Sequence, residues 1–380
     1  MMPRKAPGRS GFRGQNPLRP GDEVILRTDV PHRLGAYRCQ VLDIGNTQLR
    51  LTAPMRDGWV VLIPVGTPVE LETPDGTRLK SRVVDRVTGP GRCLVIEQPV
   101  PLPARNLERA APLVVISSGK GGVGKSCLAV NLAVLCAQAG RRVLLMDLDL
   151  GTGNLDVLLG IGSAPDLSSV VRGERGLREV VVEPLPGLQV LLAGSGAREV
   201  AELTSLQYDW LASELQALGE ATDLMIGDVS SGVSERVTST LAAASHPVVV
   251  TTPEPHAITD AYALLKVYRE RHGARPFHLV VNMARSRGEG ERVAAKMQFA
   301  AERFLGLELR LAGVVPLDAA MLEAVRLQRP VATRRPQAPV VQALGSVGRA
   351  LLGPEDVQPP SPRWAERLLS LLPWRPSRTL

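Results

Sequence analysis

Apolar and polar residues alternate in short runs between Gly21 and Pro99. A period of two is typical of strands that present every second side chain to a core. Turn-forming residues separate the runs, and no helical window interrupts them. The pattern therefore predicts six or seven strands in a small antiparallel β-barrel. The runs are residues 23–27, 37–44, 48–52, 59–63, 69–72, 80–87 and 93–97.

The period changes after a proline-rich stretch at residues 99–112. Apolar segments typical of buried strands then alternate with amphipathic helical windows such as 201–218 and 257–271. This alternation predicts an α/β fold with a mostly parallel sheet and helices on both faces. The strand segments are residues 113–117, 143–147, 188–192, 224–228, 248–251, 279–282 and 312–315.

These patterns divide the chain into segments of different character. Residues 1–20 are rich in Pro, Gly and Arg and predict a disordered basic arm. The other predicted segments are a barrel at 21–99, a linker at 100–112, an α/β domain at 113–353, a second linker at 354–362 and a terminal helix at 363–375.

The composition excludes several classes of protein. Hydrophobic residues make up 44% of the 380 residues, which excludes disorder along the whole chain. No stretch approaches about 18 consecutive apolar residues, and no apolar segment follows the basic N-terminus, so we expect neither a transmembrane helix nor a secretory signal. The four cysteines lack the spacing of a metal site or a disulfide framework, which favours a reduced, cytoplasmic protein.

The net charge of +7 belongs to the two ends of the chain. Residues 1–20 carry +5 and residues 361–380 carry +3, which leaves −1 for residues 21–360. A DNA-binding protein generally needs a basic surface on its folded body. We therefore expect no direct nucleic-acid binding, while the basic ends remain compatible with anionic lipid or an acidic partner.

The strongest motif is GKGGVGKS at residues 119–126, which fits G-x-x-x-x-G-K-[ST]. A predicted strand enters it, and a helix from Lys125 to about residue 139 leaves it and ends at Gly140. Glycines let backbone N–H groups approach phosphate oxygens, and the helix N-terminus adds positive potential. We predict an ATP site in which Lys125 neutralises the β- and γ-phosphates and the Ser126 hydroxyl binds Mg²⁺. The predicted contacts are Gly119, Lys120, Gly121, Gly122, Val123, Gly124, Lys125, Ser126 and Cys127.

Three aspartates lie at the ends of two predicted strands. Asp147 and Asp149 close the second strand of the α/β domain, and Asp228 follows the apolar run at 224–227. The carboxyl ends of parallel strands meet at the ligand-binding edge of an open sheet. Asp228 has the Walker B position and is predicted to hold Mg²⁺. Asp147 and Asp149 could instead cap the helix that follows their strand.

A lysine at position 120 is not needed by a plain phosphate-binding loop. The form K-G-G-x-G-K-[ST] at residues 120–126 resembles the MinD/ParA class of P-loop ATPases. The resemblance implies that Lys120 reaches across an ATP-dependent homodimer to the phosphates of the partner subunit. It also implies that Asp147 supports the loop and the metal shell, and that Asp149 orients the attacking water. The predicted metal site thus comprises Ser126, Asp147, Asp149 and Asp228.

The resemblance also assigns an adenine site and a switch loop. By this resemblance, three residues are expected to surround the adenine ring: Asn282, Pro316 and Asp318. Asn282 could instead be a turn residue, and Asp318 could cap the following helix. Residues 228–234 read DVSSGVS where the class usually has DTGAGIS. Nucleotide binding is expected all the same, and the rate of hydrolysis is left open.

Longer strings narrow the resemblance to the FlhG/FleN family of MinD-like regulators of flagellar number, over residues 112–352. These strings are residues 149–160, 194–196, 251–263 (TTPEPHAITDAYA), 281–284 and 329–331. The resemblance implies an ATPase that cycles between a monomer and a membrane-associated dimer. Its implied partners are an FlhF-type GTPase, flagellar C-ring proteins or a flagellar transcription activator. Many relatives carry a D-Q-A-x-x-L-R-like segment that stimulates FlhF; none precedes the P-loop here, so GTPase activation is not expected.

The predicted barrel resembles the N-terminal domain of flagellar-brake proteins of the YcgR/PilZ type. Cyclic-di-GMP binding by PilZ domains needs R-x-x-x-R followed by D/N-x-S-x-x-G. Arg33 and Arg38 are five residues apart, and DIGN at residues 43–46 lacks the serine. We therefore expect no cyclic-di-GMP site and interpret the barrel as a docking module.

The end of the chain predicts an amphipathic helix that stops before Pro373. At about 100° per residue, one side collects Trp364, Ala365, Leu368, Leu369, Leu371 and Leu372. The opposite side collects Arg363, Glu366, Arg367 and Ser370. A helix this short cannot span a bilayer, but it fits the interface of an anionic membrane, as in MinD-type proteins. It could instead dock on its own α/β domain.

Two other functions remain compatible with these motifs. A ParA-type partition or cargo-positioning ATPase would share the chemistry, but the charge of −1 over residues 21–360 disfavours it. A scaffold that binds nucleotide without hydrolysing it is favoured only by the altered residues 229–231.

Overall fold

The computed structural model describes residues 18–28, 35–45, 47–56, 58–89, 91–101, 111–149, 153–162, 164–171, 174–194 and 205–353, with Trp364, Ala365 and Leu368. The chain divides into two compact units, Met1–Ala104 and Arg105–Leu380. Most of the predicted basic arm, most of the first linker, the second linker and most of the predicted terminal helix lie outside the described residues.

Six antiparallel strands close into a barrel in the first unit. The strands of this unit are β1 (Glu23–Thr28), β2 (Gly35–Ile44), β3 (Gln48–Thr52), β4 (Met55–Arg56), β5 (Trp59–Val60), β6 (Pro68–Glu72), β7 (Arg78–Val87), β8 (Cys93–Glu97) and β9 (Val100–Pro101). The order is β6-β1-β2-β3-β8-β7, and β7 pairs back with β6. β9 adds to β7, while β4 and β5 form a separate pair. The predicted antiparallel barrel is confirmed.

Two ten-residue strands allow the barrel to close. β2 pairs first with β1 and then with β3, and its register shifts between Val41 and Asp43. β7 pairs with β6 and then with β8, and shifts between Val83 and Asp85. Such bulges bend a strand and increase its twist, so each long strand serves two sides of the barrel. The buried core between them is aliphatic except for Tyr37 and Cys39.

The pattern predicts a strand over residues 59–63, whereas only Trp59–Val60 pairs as one. Val61 still donates its N–H to the Pro54 carbonyl at 2.8 Å. Pro64 has no N–H with which to extend the ladder. The chain therefore leaves the hairpin after Val61, and Ile63 is fully buried in the barrel core.

The second unit contains eight described strands in the order β12-β13-β11-β14-β10-β15-β16-β17. They are β10 (Leu113–Ser117), β11 (Val143–Asp147), β12 (Val181–Leu185), β13 (Leu188–Leu191), β14 (Leu224–Asp228), β15 (His246–Thr251), β16 (Phe277–Ala284) and β17 (Leu309–Pro316). All neighbours are parallel except β12 and β13. β10 lies in the middle of the sheet, so the predicted phosphate-binding loop opens at its centre. The predicted α/β fold is confirmed.

The antiparallel edge strand β12 was not predicted. Its residues include Glu183 and Pro184, and its pairing with β13 shifts between Val182 and Leu185. Proline lacks a ladder donor, and an edge strand is one of the few places in a sheet that accepts it. None of its side chains is fully buried, so the hydrophobic pattern contains little trace of it.

Ten described α-helices accompany this sheet. They are α1 (Lys125–Gln138), α2 (Leu155–Leu159), α3 (Leu167–Val171), α4 (Ser205–Glu220), α5 (Glu235–Ala243), α6 (Pro255–His272), α7 (Arg287–Leu305), α8 (Ala319–Arg326), α9 (Val331–Arg334) and α10 (Pro339–Leu351). α1 begins and ends as predicted, with Gly140 at a φ of 86° just beyond it. In the described part of the chain, no helix has both the length and the apolar character needed to cross a membrane.

Two glycines in α7 offer a test of how this helix packs. A Cβ on Gly290 would lie 2.3 Å from a methyl group of Val314 on β17, whereas the nearest atom to a Cβ on Gly288 is the Arg292 guanidinium at 3.6 Å. Because a β-branched neighbour is stiff, Gly290→Ala should lower the free energy of unfolding by about 1–3 kcal/mol in urea denaturation. Gly288→Ala is the matched control and should cause no loss, because alanine favours helix. Equal losses for both variants would contradict this packing.

Candidate nucleotide-binding site

The loop between β10 and α1 has a conformation that only glycine adopts easily. Gly122 and Gly124 have φ values of 80° and 86°, in the left-handed region. A side chain on Gly124 would also meet Asn282, whose Nδ2 lies 2.5 Å from the Cβ position. Val123 is buried, while Gly121 is exposed. The predicted loop residues Gly119 to Gly124 thus form one turn that leads into the N-terminus of α1 at Lys125.

Gly119 has a second role that the motif does not reveal. A Cβ at this position would lie 2.0 Å from the carbonyl carbon and oxygen of Asp260 in α6. The absence of a side chain therefore lets α6 pack directly against the loop. α6 contains most of the string at residues 251–263 that distinguished this chain from a generic ATPase.

Hydrogen bonds join the loop to the stretch that follows β14. The Ser117 hydroxyl donates to the Ser230 carbonyl at 3.1 Å, and the Gly232 N–H donates to the Ser118 carbonyl at 2.9 Å. The Ser118 hydroxyl donates to the Lys120 carbonyl at 2.6 Å. The Ser231 hydroxyl oxygen lies 3.6 Å from the Cβ position of Gly121. The altered residues 229–231 are therefore held beside the phosphate-binding loop.

Asp147 and Asp228 lie side by side at the ends of β11 and β14, where they are register partners. They are only 4% and 3% exposed. Burial raises the pKa of Asp147 to about 7, opposed by a hydrogen bond from the Asp149 N–H and assisted by the charges of Asp228 and Asp149. Burial likewise raises the pKa of Asp228 to about 6, although the Ser126 hydroxyl and Lys125 favour its ionised form.

Lys125 lies within the electrostatic reach of two of these carboxylates. Burial lowers the pKa of its ammonium group, while Asp228 and Asp149 oppose that shift. The backbone of Asp149 is fixed on both sides: its N–H donates to Asp147 Oδ1 at 3.0 Å, and its carbonyl accepts from Gly153 at 3.0 Å. The structure thus brings Lys125, Ser126, Asp147, Asp149 and Asp228 together, as the motifs predict. Residues 150–152 lie outside the described residues.

The carboxylates fit a magnesium ion held jointly with phosphate. Asp228 Oδ1 is buried and has no hydrogen-bond partner among the residues that the structure describes, although the Ser126 hydroxyl donates to this carboxylate. An orphaned buried oxygen of this kind would be satisfied by a hard cation or by a water that the cation binds. In the described parts of the chain, no cluster of three or more His, Cys, Asp or Glu residues could hold a metal. Mg²⁺ in proteins is usually bound by one or two carboxylates together with phosphate and water.

The residues predicted around adenine have structural partners. Asn282 Nδ2 donates to the Val123 carbonyl at 2.8 Å and so braces the phosphate-binding loop. Asp318 caps α8: its Oδ1 accepts from Ala320 at 2.9 Å, and its Oδ2 accepts from Val340 at 3.2 Å. Both carboxylate oxygens of Asp318 are therefore used by the fold, as its alternative interpretation anticipated. Pro316 ends β17. Adenine binding by Asn282, Pro316 and Asp318 stays a prediction.

Two further residues near the loop have clear structural roles. The Cys127 thiol is half-buried, and burial together with Asp228 raises its pKa to about 11, so it stays protonated. Asn131 was not predicted: its Nδ2 donates to the Cys127 carbonyl at 2.8 Å, and its Oδ1 accepts from the Ala332 N–H at 3.0 Å. It thereby ties α1 to α9. The sequence offered one signal for this role, namely an amide side chain within the apolar stretch of α1.

Comparison with known proteins identifies the second unit. Residues 114–331 match the family described as CobQ/CobB/MinD/ParA nucleotide binding domain, more than half of the chain. The antiactivator FleN of Pseudomonas aeruginosa is 36% identical over 237 residues, which cover 62% of this chain and 85% of FleN. The chain belongs to the MinD/ParA family and is an ATPase of the FlhG/FleN type. The flagellum site-determining protein YlxH of Helicobacter pylori is 31% identical over 215 residues, which cover 56% of this FlhG/FleN-type chain and 72% of YlxH.

The first unit and the fold have their own relatives. Residues 19–99 of this FlhG/FleN-type ATPase match the family described as flagellar protein YcgR. The MinC:MinD cell division protein complex of Aquifex aeolicus shares the fold, with a TM-score of 0.52 and 23% identity over 64% of this chain and 96% of that one. MinD of Pyrococcus horikoshii, complexed with Mg-ADP, has a TM-score of 0.51 and is 23% identical. The match covers 63% of this chain and 95% of that one.

The buried acid pair predicts a pH dependence of stability without nucleotide. Because both folded pKa values lie above the ordinary value of 3.8, the folded protein holds protons that the unfolded chain releases. Stability should be greatest below about pH 4 as far as this pair is concerned, and should fall as the pH rises towards about 7. Asp228→Asn should raise the melting temperature at pH 8, and should raise it less at pH 5, in thermal unfolding without Mg²⁺. A variant less stable than the wild type at pH 8 would contradict the assigned burial cost.

Proposed function

We propose that this chain is an ATP-hydrolysing switch that regulates flagellar number and placement by cycling between a monomer and a membrane-associated dimer. The observation that carries the ATPase part is the convergence of Lys125, Ser126, Asp149 and Asp228 under a glycine loop with left-handed backbone. Such a loop presents backbone N–H groups to phosphate oxygens. ATP and Mg²⁺ are the proposed cofactors, supported by the Mg-ADP complex of a protein with the same fold.

Each residue has a distinct task in this proposal. Lys125 neutralises the β- and γ-phosphates, and its partly desolvated ammonium group strengthens that attraction. Ser126 and Asp228 hold the metal, and Asp147 supports them by fixing the backbone of Asp149. When bound, Mg²⁺ supplies charge neutralisation to the phosphates. Asp149 orients the attacking water.

Lys120 is available to act on a second subunit. It is half-buried, its carbonyl is held by Ser118, and it forms no salt bridge with any other residue that the structure describes. A lysine fixed at its backbone and unpaired at its ammonium group suits a contact made across a dimer. In the proposal, the Lys120 side chain binds the phosphates held by the partner subunit, which makes dimerisation depend on ATP.

The flagellar role is supported by two separate parts of the chain. The second unit is related to the flagellum site-determining protein YlxH, as well as to the antiactivator FleN, and the first unit matches the family described as flagellar protein YcgR. Neither match depends on the other. The proposed partners are an FlhF-type GTPase, flagellar C-ring proteins or a flagellar transcription activator.

Membrane attachment is proposed to use the end of the chain. The three described residues of the predicted terminal helix, Trp364, Ala365 and Leu368, are buried, and Trp364 Cζ2 lies 2.6 Å from the Cβ position of Gly219 in α4. Docking on the α/β unit, the alternative interpretation of this segment, is thus observed for these residues. The indole N–H of Trp364 is buried and has no hydrogen-bond partner in the described part of the chain, and leaving such a donor unpaired costs about 1–3 kcal/mol. We infer that this docked position alternates with a membrane position, where the indole N–H can meet water or headgroups.

Three variants test the catalytic assignment. Lys125→Ala should lose ATP affinity, because the phosphate charge is no longer neutralised. Lys120→Ala should keep ATP binding but lose the dimer and most turnover. Asp149→Ala should bind ATP, dimerise and stall. The measurements are nucleotide titration, size-exclusion chromatography with ATP and phosphate release.

The same variants test the flagellar role in flagellated cells that carry the gene. Cells that carry Lys120→Ala in place of the wild type should show altered flagellar number or position. Normal flagella together with a defect in plasmid or chromosome inheritance would favour a partition ATPase.

In the enzymatic test, wild-type turnover by Asp149→Ala would overturn the assignment of the water-positioning residue. Dimerisation with no turnover in the wild type would favour a scaffold.

Removal of the terminal segment tests membrane attachment. A chain that ends at Pro362 should bind anionic liposomes at least tenfold more weakly than the full chain in ATP, because a dimer otherwise presents two helices at once. Binding by the full chain should also weaken with salt and without ATP. Co-sedimentation measures both effects, and ATP-dependent dimerisation of the shortened chain is the control. Equal lipid binding by the two chains would exclude this segment as the anchor.

A further inference from the structure

The barrel has a groove of about 710 Å³ on its surface. One wall comes from residues 53–54 and 59–63, which include β5, and the other from residues 86–89 and 91–94, where β7 ends and β8 begins. The volume lies in the range typical of ligand sites, roughly 300–1,000 Å³. Nothing in the chemistry of the ATP site uses this groove.

Apolar side chains dominate the groove at two levels. Ile63, Cys93 and Leu94 are buried at its base. At its rim, Trp59 and Leu62 are 79% and 40% exposed. Trp59 is the most exposed large hydrophobic residue in the described part of the chain. An exposed tryptophan beside an apolar hollow is a frequent anchor of protein interfaces.

The charge of the groove has one sign. Arg86 and Arg92 line the wall opposite β5, and both are exposed. No acidic residue is among the lining residues, and neither arginine forms a salt bridge with another described residue. An occupant that carries carboxylates would therefore meet two unpaired guanidinium groups. The basic ends of this chain, at +5 and +3, have the wrong charge to fill the groove.

The backbone at the groove favours an extended peptide. β5 pairs with β4 alone among the described strands, in a sheet separate from the barrel. Trp59 and Val60 of β5 line the groove, and the other edge of β5 has no partner among the described strands. A peptide can add itself as a strand at such an edge, with alternate side chains directed into the groove. A compact ligand would leave that edge unused.

We propose that this groove binds an extended, acidic segment of another protein. In the bound state, large apolar side chains of the segment pack against Trp59 and over Ile63, and its carboxylates face Arg86 and Arg92. Apolar burial supplies most of the affinity, and the arginines select the charge of the partner. The barrel would thus recognise a partner without any change in the ATPase unit.

Selection from a random decapeptide library, displayed on phage and panned on the full chain, tests the proposal. The selected peptides should be enriched in Asp and Glu next to Leu, Ile, Phe or Trp. Synthetic copies should bind in fluorescence polarisation with an affinity that falls as salt rises. Trp59→Ala should weaken binding at least tenfold, whereas Trp59→Phe should restore most of it. The double variant Arg86→Glu and Arg92→Glu should weaken acidic peptides at least tenfold and favour lysine-substituted copies.

Matched controls lie on the same barrel away from the groove. Leu42 is 45% exposed on β2, and Arg82 is exposed on β7 four residues before Arg86. Leu42→Ala and Arg82→Glu should bind the peptides as the wild type does. The proposal is overturned if selected peptides show no acidic enrichment, or if Trp59→Ala binds them with wild-type affinity. Displacement of the peptides by a cyclic dinucleotide would assign the groove to a nucleotide and would overturn it as well.

Discussion

The burial of Asp147 and Asp228 on neighbouring strands is the interaction on which the candidate site depends. Two carboxylates in a poorly hydrated position cannot both ionise without cost, and the raised pKa values of both express that cost. Lys125 offsets part of it, and a cation would offset more. Without ligand, the folded protein therefore carries an electrostatic cost that binding of a metal and nucleotide would lower. Ligand binding would also stabilise the fold by mass action.

The phosphate-binding loop is mechanically joined to two other elements. Gly119 lies directly against the backbone of Asp260, so the loop and α6 are packed without a side chain between them. Ser117 holds the Ser230 carbonyl on the opposite side. A change at the γ-phosphate position would thus be felt at the stretch after β14 and at α6 together, which gives a switch a short physical path. The path uses backbone contacts, so side-chain variation at residues 229–231 need not break it.

The sequence predicted most where burial is complete. β10, β11 and β14 begin and end as predicted, because continuous apolar runs followed by a polar residue admit one interpretation. β12 was not predicted, because it is a half-exposed edge strand that contains a proline. Strand alternation also extended β5 too far, since Ile63 is buried through a turn of the chain and not through pairing.

Long-range contacts were beyond the reach of the sequence pattern. The motif correctly grouped Lys125, Ser126, Asp147, Asp149 and Asp228, because strand ends of one sheet meet. The carboxylate of Asp318, however, is shared between the N–H groups of Ala320 and Val340, which lie far apart in sequence. No local signal distinguishes such a double cap from a ligand contact. The burial of Trp364 is of the same kind, since an amphipathic helix looks the same whether lipid or protein covers it.

Closure of the barrel by the β6–β7 pairing affects how the first unit can meet other molecules. An open sheet joined to another domain would bring exposed strand edges, which promote pairing between molecules and aggregation. A barrel of six strands consumes its own edges, and its core is separate from that of the α/β unit. These six strands therefore add no unpaired edges of their own to the chain, and each of the two units buries its apolar side chains in a core of its own.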